Sequence, residues 1–289
     1  MTDSSNIIAF QGVLGAYSHM ACQAVKPEME VLPCRSFEDM ILAVQEGRAE
    51  LAMVPVENSI AGRVADIHHL LPGSGLYING EHFQRVRHNL LAPRGAKIED
   101  LQVVHSHTQA LAQCRRTLRD LKLKTQVHAD TAGAAADVAA LDDPTQAAIA
   151  SSLAAEIYGL DVLRADIEDE AHNTTRFVML SREPDDPELG DGAILTTFVF
   201  RVRNVPAALY KALGGFATNG INMLKLESYM LGGAFNATQF YADVEGHPED
   251  PAMQRAFEEL GFFSREVRVL GVYPASPFRE NNTPQIGGS

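Results

Sequence analysis

The sequence predicts an α/β protein followed by a smaller α+β module, and three observations carry that prediction. Short apolar runs recur along the first 180 or so residues, each ending in small polar residues and followed by a helical pattern. Residues 181–192, rich in Pro, Gly and carboxylates, interrupt this rhythm and cannot build a core. Beyond them the order of elements becomes βαββαβ, the ferredoxin-like plan. A chain of 289 residues is long enough for two or three such domains.

Composition excludes several classes of function. A net charge of -13 argues against nucleic acid or an anionic membrane as partner, so any anionic ligand must find its positive contacts locally. The three cysteines, Cys22, Cys34 and Cys114, have neither metal-type nor redox-type spacing and read as reduced thiols of a cytoplasmic protein. No signal peptide follows Met1, and no apolar run approaches the ~20 residues that cross a bilayer. The expectation is a cytoplasmic chain without a membrane partner.

Residues 7–10 form a short apolar strand that runs into Gly12 and Gly15, a tight turn before a helix from about Ser18 to Val25. That helix N-terminus offers N–H groups to an anion, although the spacing matches neither a Walker loop nor a dinucleotide fingerprint. Ser36 caps a helix that ends near Gly47. The strand 51–56 delivers Glu57, Asn58 and Ser59 to its carboxyl end, and the helix expected next carries Ile60, Val64, Ile67 and Leu71 on one face. The same strand, polar cluster and helix recur three times. They place Ser106, His107 and Gln109, then Asp130 and Thr131, then Ser151 and Ser152. Such alternation implies mostly parallel sheets with helices on both faces, and ligands outside the carboxyl ends of the strands. Each Ser or Thr alone is most simply an N-cap; five in succession line a polar cleft better.

Residues 173–180 set Thr174, Thr175 and Arg176 directly before a buried strand. Arg176 offers a planar fork suited to a carboxylate, and a neighbouring threonine adds one hydrogen bond. On these residues alone, a surface charge at a strand end fits better. His68 and His69 lie in a helix and His105 and His107 at a strand end, but no third ligand stands at a recognisable spacing, so they read as structural or cleft-lining and no metal is expected. No Gly-x-Ser-x-Gly elbow occurs. In the last module the expected elements are strand 194–202, helix 206–216 with Pro206 in its first turn, strand 223–230, a turn at Gly232 and Gly233, strand 235–244, helix 251–260 and strand 266–272.

Taken together, the segments around Gly12 to Ser18, Pro55 to Ser59, His107 to Cys114, Ala147 to Ser151, Tyr158 to Leu160 and Asn173 to Phe177 resemble the prephenate dehydratase family over nearly the whole chain. Asn204 to Leu209 and Leu226 to Ser228 resemble the ligand-binding segments of an ACT domain. The resemblance implies a two-lobed, periplasmic-binding-protein-like catalytic domain over 1–182 with the site between its lobes. A linker 183–192, a ferredoxin-like ACT domain 193–274 and a mobile tail 275–289 would follow. It implies conversion of prephenate to phenylpyruvate in phenylalanine biosynthesis, without cofactor or metal, and feedback regulation by L-phenylalanine. Thr175 and Arg176 would be catalytic, with Tyr17, Ser18, Asn58, Ser59, Ser106, Gln109, Thr131, Ser151 and Phe177 binding substrate. Phenylalanine would be held by Asn204, Ala207, Ala208, Leu209, Asn222, Glu227 and Ser228, in a homodimer or homotetramer. Three positions depart from the family pattern: Thr108 stands where Pro is usual, Ala207 where Gly is usual, and Tyr229-Met230 where Arg-Pro is usual. Two rival readings remain: arogenate as substrate, and a non-catalytic sensor on the same fold.

Overall fold

The computed structural model describes residues 6–203, 205–230 and 237–281. Asn204, the turn at Gly232 and Gly233, and the first residues of the strand expected from 235 lie outside the described residues. The chain divides into two compact units, the residues up to Ile67 with His82–Phe177, and His68–Glu81 with those from Val178 onward.

The chain opens with β1 (Ile7–Gln11), α1 (Tyr17–Val25), β2 (Glu30–Cys34), α2 (Phe37–Gln45) and β3 (Leu51–Asn58). The side chain of Ser36 caps α2 by accepting from the Asp39 N–H, as its position predicts. There follow β4 (Gly62–Arg63), α3 (Ala65–Leu70) and β5 (Tyr77–Arg85). A second sheet is then laid down by β6 (Asn89–Ala92), β7 (Val103–His107), α4 (Thr108–Gln113), α5 (Arg115–Asp120), β8 (Lys124–His128), α6 (Thr131–Leu141), β9 (Gln146–Ala150), α7 (Ser152–Tyr158) and β10 (Asp161–Arg164). β11 (Thr174–Ser181) returns to the first sheet, whose order is β2-β1-β3-β11-β5; the second runs β10-β6-β9-β7-β8.

The sheets are more mixed than the expected parallel plan. β1 pairs in parallel with β2 and β3, and β7 with β8 and β9, but β6 and β10 run antiparallel. Helices cover both faces of the second sheet. Leu90, Val104 and Ile149 pack on one side with Leu118, while Leu91, Ala148 and Ala150 pack on the other with Val138. Neighbouring residues of one strand thus enter opposite cores, the period-2 geometry of a sheet buried on both faces.

One expected helix begins later than its periodicity predicts, although Ile67 and Leu71 are buried as expected. Residues 59–64 form a turn and the short β4, and helix begins only at Ala65. Asn58 Oδ1 accepts the backbone N–H groups of Ile60 and Ala61 at 3.0 and 2.8 Å, a side-chain-held turn that competes with helix. Gly62, with φ +80°, completes the reversal. Ile60, assigned by periodicity to a buried face, is instead exposed.

The Gly12–Gly15 turn is built for close approach. Gly15 has φ +87°, and a Cβ there would lie 2.8 Å from the Ala154 Cα of α7. Around it Ser151 donates to the Gly15 carbonyl at 2.5 Å and Tyr158 to the Leu14 carbonyl at 2.8 Å.

The remaining residues form β12 (Ile194–Val202), α8 (Ala208–Thr218), β13 (Met223–Met230), β14 (Ala237–Glu245), α9 (Pro251–Phe263), β15 (Ser264–Pro274) and α10 (Phe278–Asn281). The antiparallel sheet β13-β14-β12-β15 has the ferredoxin-like order. Its covered face is aromatic: Phe198 stacks on Phe216 at 5.5 Å and Phe200 on Phe240 at 5.2 Å. Helix α8 starts two residues later than expected, so Pro206 precedes it. The Ala208 N–H donates to the Val205 carbonyl at 3.2 Å, closing a turn with Ala207 at φ +62°. That is the left-handed conformation glycine adopts without strain. Arg279 pairs with Glu81 at 2.6 and 2.8 Å, which ties α10 to β5.

Candidate active site

A cavity of about 400 Å³ opens between the two sheets of the first unit. Its walls come from separate stretches of chain. Tyr17 belongs to α1, Asn58 to the end of β3, Arg63 to β4, His88 to the link between β5 and β6, Gln109 and Gln113 to α4, Thr131 to α6, and Thr175 to the start of β11, which Asn173 immediately precedes.

Six of these side chains form one continuous polar chain. Tyr17 Oη lies 3.1 Å from His88 Nδ1, and His88 Nε2 lies 2.8 Å from Gln113 Oε1. Gln113 Oε1 also accepts from Asn173 Nδ2 at 2.8 Å. Asn173 Oδ1 accepts from Asn58 Nδ2 at 2.8 Å, and the same amide nitrogen donates to Thr175 Oγ1 at 2.9 Å. Thr175 therefore accepts from Asn58, which leaves its own hydrogen for a ligand. Buried networks satisfied in this way hold their members in one arrangement.

Electrostatics keep the network neutral. Burial, with lesser contributions from Cys114, Glu168 and Asp166, holds the Tyr17 phenol well above its ordinary range, so Tyr17 remains an O–H donor. Burial likewise lowers the His88 pKa, partly opposed by its bond to Gln113 and by Glu168. Arg63 and His107 join His88 as the basic side chains on the wall. Among the described residues no cluster of three or more His, Cys, Asp or Glu could hold a metal ion, and no helix is long and apolar enough to cross a membrane.

The family model for prephenate dehydratase matches residues 8–185, more than half of the chain and all of the elements that build this cavity. The chain belongs to the prephenate dehydratase family. It is 55% identical to a Komagataeibacter europaeus protein named bifunctional N-acyl-homoserine lactone acylase/prephenate dehydratase, over 96% of this chain and 99% of that one. It is 42% identical to Arabidopsis thaliana arogenate dehydratase/prephenate dehydratase 2, covering 92% of this chain and 72% of the relative. Among solved structures, the prephenate dehydratase of Arthrobacter aurescens in complex with L-Phe superposes with a TM-score of 0.85 at 31% identity, covering 93% of this chain and 90% of the other.

Within this family member the expected site residues divide into two groups. Tyr17, Asn58, Gln109, Thr131 and Thr175 line the cavity. Ser18, Ser59, Ser106, Ser151, Arg176 and Phe177 are not among its lining residues, and most have other work. Ser59 bridges to β11, donating to the His172 carbonyl at 3.0 Å and accepting from the Thr174 N–H at 3.0 Å. Ser106, fully buried, donates to the Ile149 carbonyl at 2.6 Å and joins β7 to β9. Ser151 caps α7 while holding Gly15. Phe177 is buried in the core. Arg176, expected to present its fork to a ligand, is 2% exposed and gives Nη1 to Glu57 Oε1 at 2.9 Å. Glu57 is the residue before Asn58, so this pair ties the end of β3 to β11.

Just before α1, where an anion site is expected, His19 folds back on the Gly12–Gly15 turn. The Gly15 N–H donates to His19 Nδ1 at 3.1 Å. In the second unit, Ala207, Ala208 and Leu209 stand at the start of α8, Asn222 precedes β13, and Glu227 and Ser228 lie on β13. Tyr229 is buried and stacks on His68 at 5.7 Å. Sequence reasoning missed Arg63, His88 and Gln113. Gln113 lies inside a family-like segment and Arg63 in the misassigned helix, whereas nothing in the pattern around His88 signals a site.

Proposed function

We propose that the chain is a prephenate dehydratase, converting prephenate to phenylpyruvate with loss of carbon dioxide and of the ring hydroxyl. One observation carries this reading. In a chain of this family, Thr175 stands at the cavity with Oγ1 accepting from Asn58, so its hydrogen is directed to whatever the cavity holds. That hydrogen serves the departing hydroxyl. The ring carboxylate leaves as carbon dioxide, its electron pair enters the ring, and the hydroxide takes up one proton to become water. Dianion and proton thus give a monoanion, carbon dioxide and water. A threonine is too weak an acid to act alone, so its part is a hydrogen bond to the leaving oxygen or relay of a proton. Arg63, exposed at the cavity, is the cation placed for a substrate carboxylate, with Gln109 and Thr131 elsewhere on the same wall. Arg176 supports the site through Glu57.

Two further activities follow from relatives. The Arabidopsis relative's name makes arogenate a candidate substrate, and the 55% identity to the Komagataeibacter protein makes cleavage of N-acyl-homoserine lactones another. Steady-state assays of the purified protein with all three compounds separate these readings. A non-catalytic sensor would turn over none of them.

The ferredoxin-like region serves, in this reading, as an ACT domain that binds L-phenylalanine and slows the enzyme, in a cytoplasmic homodimer or homotetramer. The Arthrobacter structure, described as a complex with L-Phe, supports the choice of effector. Tyr229, buried against His68, contributes packing rather than a contact to the effector. Titration calorimetry with phenylalanine and sedimentation test these points. No heat of binding, or a monomer at micromolar concentration, would remove them.

A further inference from the structure

His88 is held by partners whose hydrogen bonds are matched best by a doubly protonated ring. Gln113 Oε1 accepts from Asn173 and carries no hydrogen, so His88 Nε2 is the donor in their 2.8 Å contact. On the other side of the ring, Tyr17 gives its single hydrogen to the Arg87 carbonyl at 2.6 Å. It then meets His88 Nδ1, 3.1 Å away, with a lone pair. A second imidazole N–H completes that contact. With a neutral ring, one phenolic hydrogen has to choose between Nδ1 and the Arg87 carbonyl, whose other donor, Asn89 Nδ2, stands at the longer 3.4 Å.

The groups around the ring come from several elements. Tyr17 faces it from α1 and Gln113 from α4, with Cys114 at the start of α5 beside Tyr17. Glu168, in the segment after β10, accepts from the His88 backbone N–H at 2.9 Å, and Asp166 pairs with Arg87 at 3.3 Å. Arg63 and His107 share the cavity wall. In the empty site burial keeps the ring neutral at and above its ordinary range. A dianion in the same cavity favours the cation, since an opposite charge within a few ångström raises a histidine pKa.

We propose that His88 takes up a proton when a dianionic substrate enters the cavity, and that the imidazolium locks Tyr17 and Gln113 so that Asn173, Asn58 and Thr175 stay aligned. His88 is then a positioning residue whose charge appears only with substrate. The identity of the dianion rests on the dehydratase reading.

Rapid mixing of the protein with prephenate in lightly buffered solution containing a pH indicator tests this. At pH 7.5 the parent takes up a burst of about one proton per chain on binding, followed by steady uptake as each turnover consumes a proton. His88→Gln keeps one donor for Gln113 but cannot be charged. It loses the burst, and its steady phase continues with kcat/KM lower by roughly ten- to a hundredfold, the range for one charge-assisted hydrogen bond. In the parent the burst also shrinks in acid, as pH falls through the lowered value at which the free ring itself takes up a proton, so the test stands even if the variant does not fold. Steady uptake without a burst, a burst that persists in His88→Gln, or a pH-independent burst overturns the inference. No steady uptake with either prephenate or arogenate removes instead the reading on which it rests.

Discussion

Replacing Asn58 with aspartate preserves shape and reverses polarity at the junction of the network. The parent side chain makes four hydrogen bonds: Oδ1 accepts from Ile60 and Ala61, and Nδ2 donates to Asn173 and Thr175. Aspartate keeps the first two, so the β3–β4 turn that carries Arg63 survives. It turns the other two into contacts between acceptors at the present 2.8 and 2.9 Å. Two lost bonds of about 1 kcal/mol each, with a half-buried carboxylate left short of donors, predict a stability loss of about 2–4 kcal/mol. That is a sizeable part of the ~5–15 kcal/mol typical of a domain. Thr175 can answer the carboxylate only by donating its hydrogen to it, which withdraws that hydrogen from substrate. kcat should fall at least ~100-fold, the lower end of what a positioned proton-transfer group contributes. The chain has no Trp, so urea unfolding is followed by far-ultraviolet circular dichroism, with turnover measured at pH 7.5 on the folded variant. Parent-like turnover at that pH would refute the role given to the Asn58–Thr175 bond.

Ala207→Gly should raise stability by about 0.5–1 kcal/mol, because glycine relieves the left-handed conformation at φ +62°; an unchanged urea midpoint would contradict that strain. Acid should destabilise the protein. His19 is buried with its pKa lowered by desolvation, and His88 behaves likewise. Their unfolded forms therefore bind protons more readily, and the associated stability is present above the ordinary value near 6.5 and lost as pH falls through it. His19→Gln should flatten the fall in Tm between about pH 7 and pH 5, since protonating Nδ1 in the parent displaces the Gly15 N–H. The buried Cys22 thiol, pushed up to about 12, should resist a thiol reagent in the folded protein and react once it is unfolded in urea.

Local patterns reported local structure well. The apolar runs and turn residues marked β1, β3, β7, β9 and the whole βαββαβ module, because strand period and cap chemistry are written in adjacent residues. The Gly12–Gly15 turn was legible as a special backbone, though its reason, the approach of Ala154 some 140 residues on, was not. Helical periodicity misled at 60–64, where one Asn58 side chain outweighed the spacing of Ile60 and Val64, while Ile67 and Leu71 took the buried positions it predicts. Thr175 and Asn58 were visible as polar residues at strand ends, but their bond joins positions 117 apart. Arg176 was visible as a suitable cation. Its burial against Glu57, 119 residues away in sequence, is a tertiary fact that no local pattern encodes. His88 was invisible because it lies in a link without periodicity and acquires its meaning from α1, α4 and β11 together.

Formation of phenylpyruvate from prephenate by the purified parent protein and by Thr175→Val is the most direct measurement of the central claim. Valine keeps the shape of threonine and removes the hydroxyl alone. The parent should release phenylpyruvate and carbon dioxide in equal amounts, and the folded valine variant should do so ~10²- to 10⁴-fold more slowly, while Thr175→Ser retains most of the rate. A parent that forms no phenylpyruvate, or a valine variant that matches it, would contradict the account.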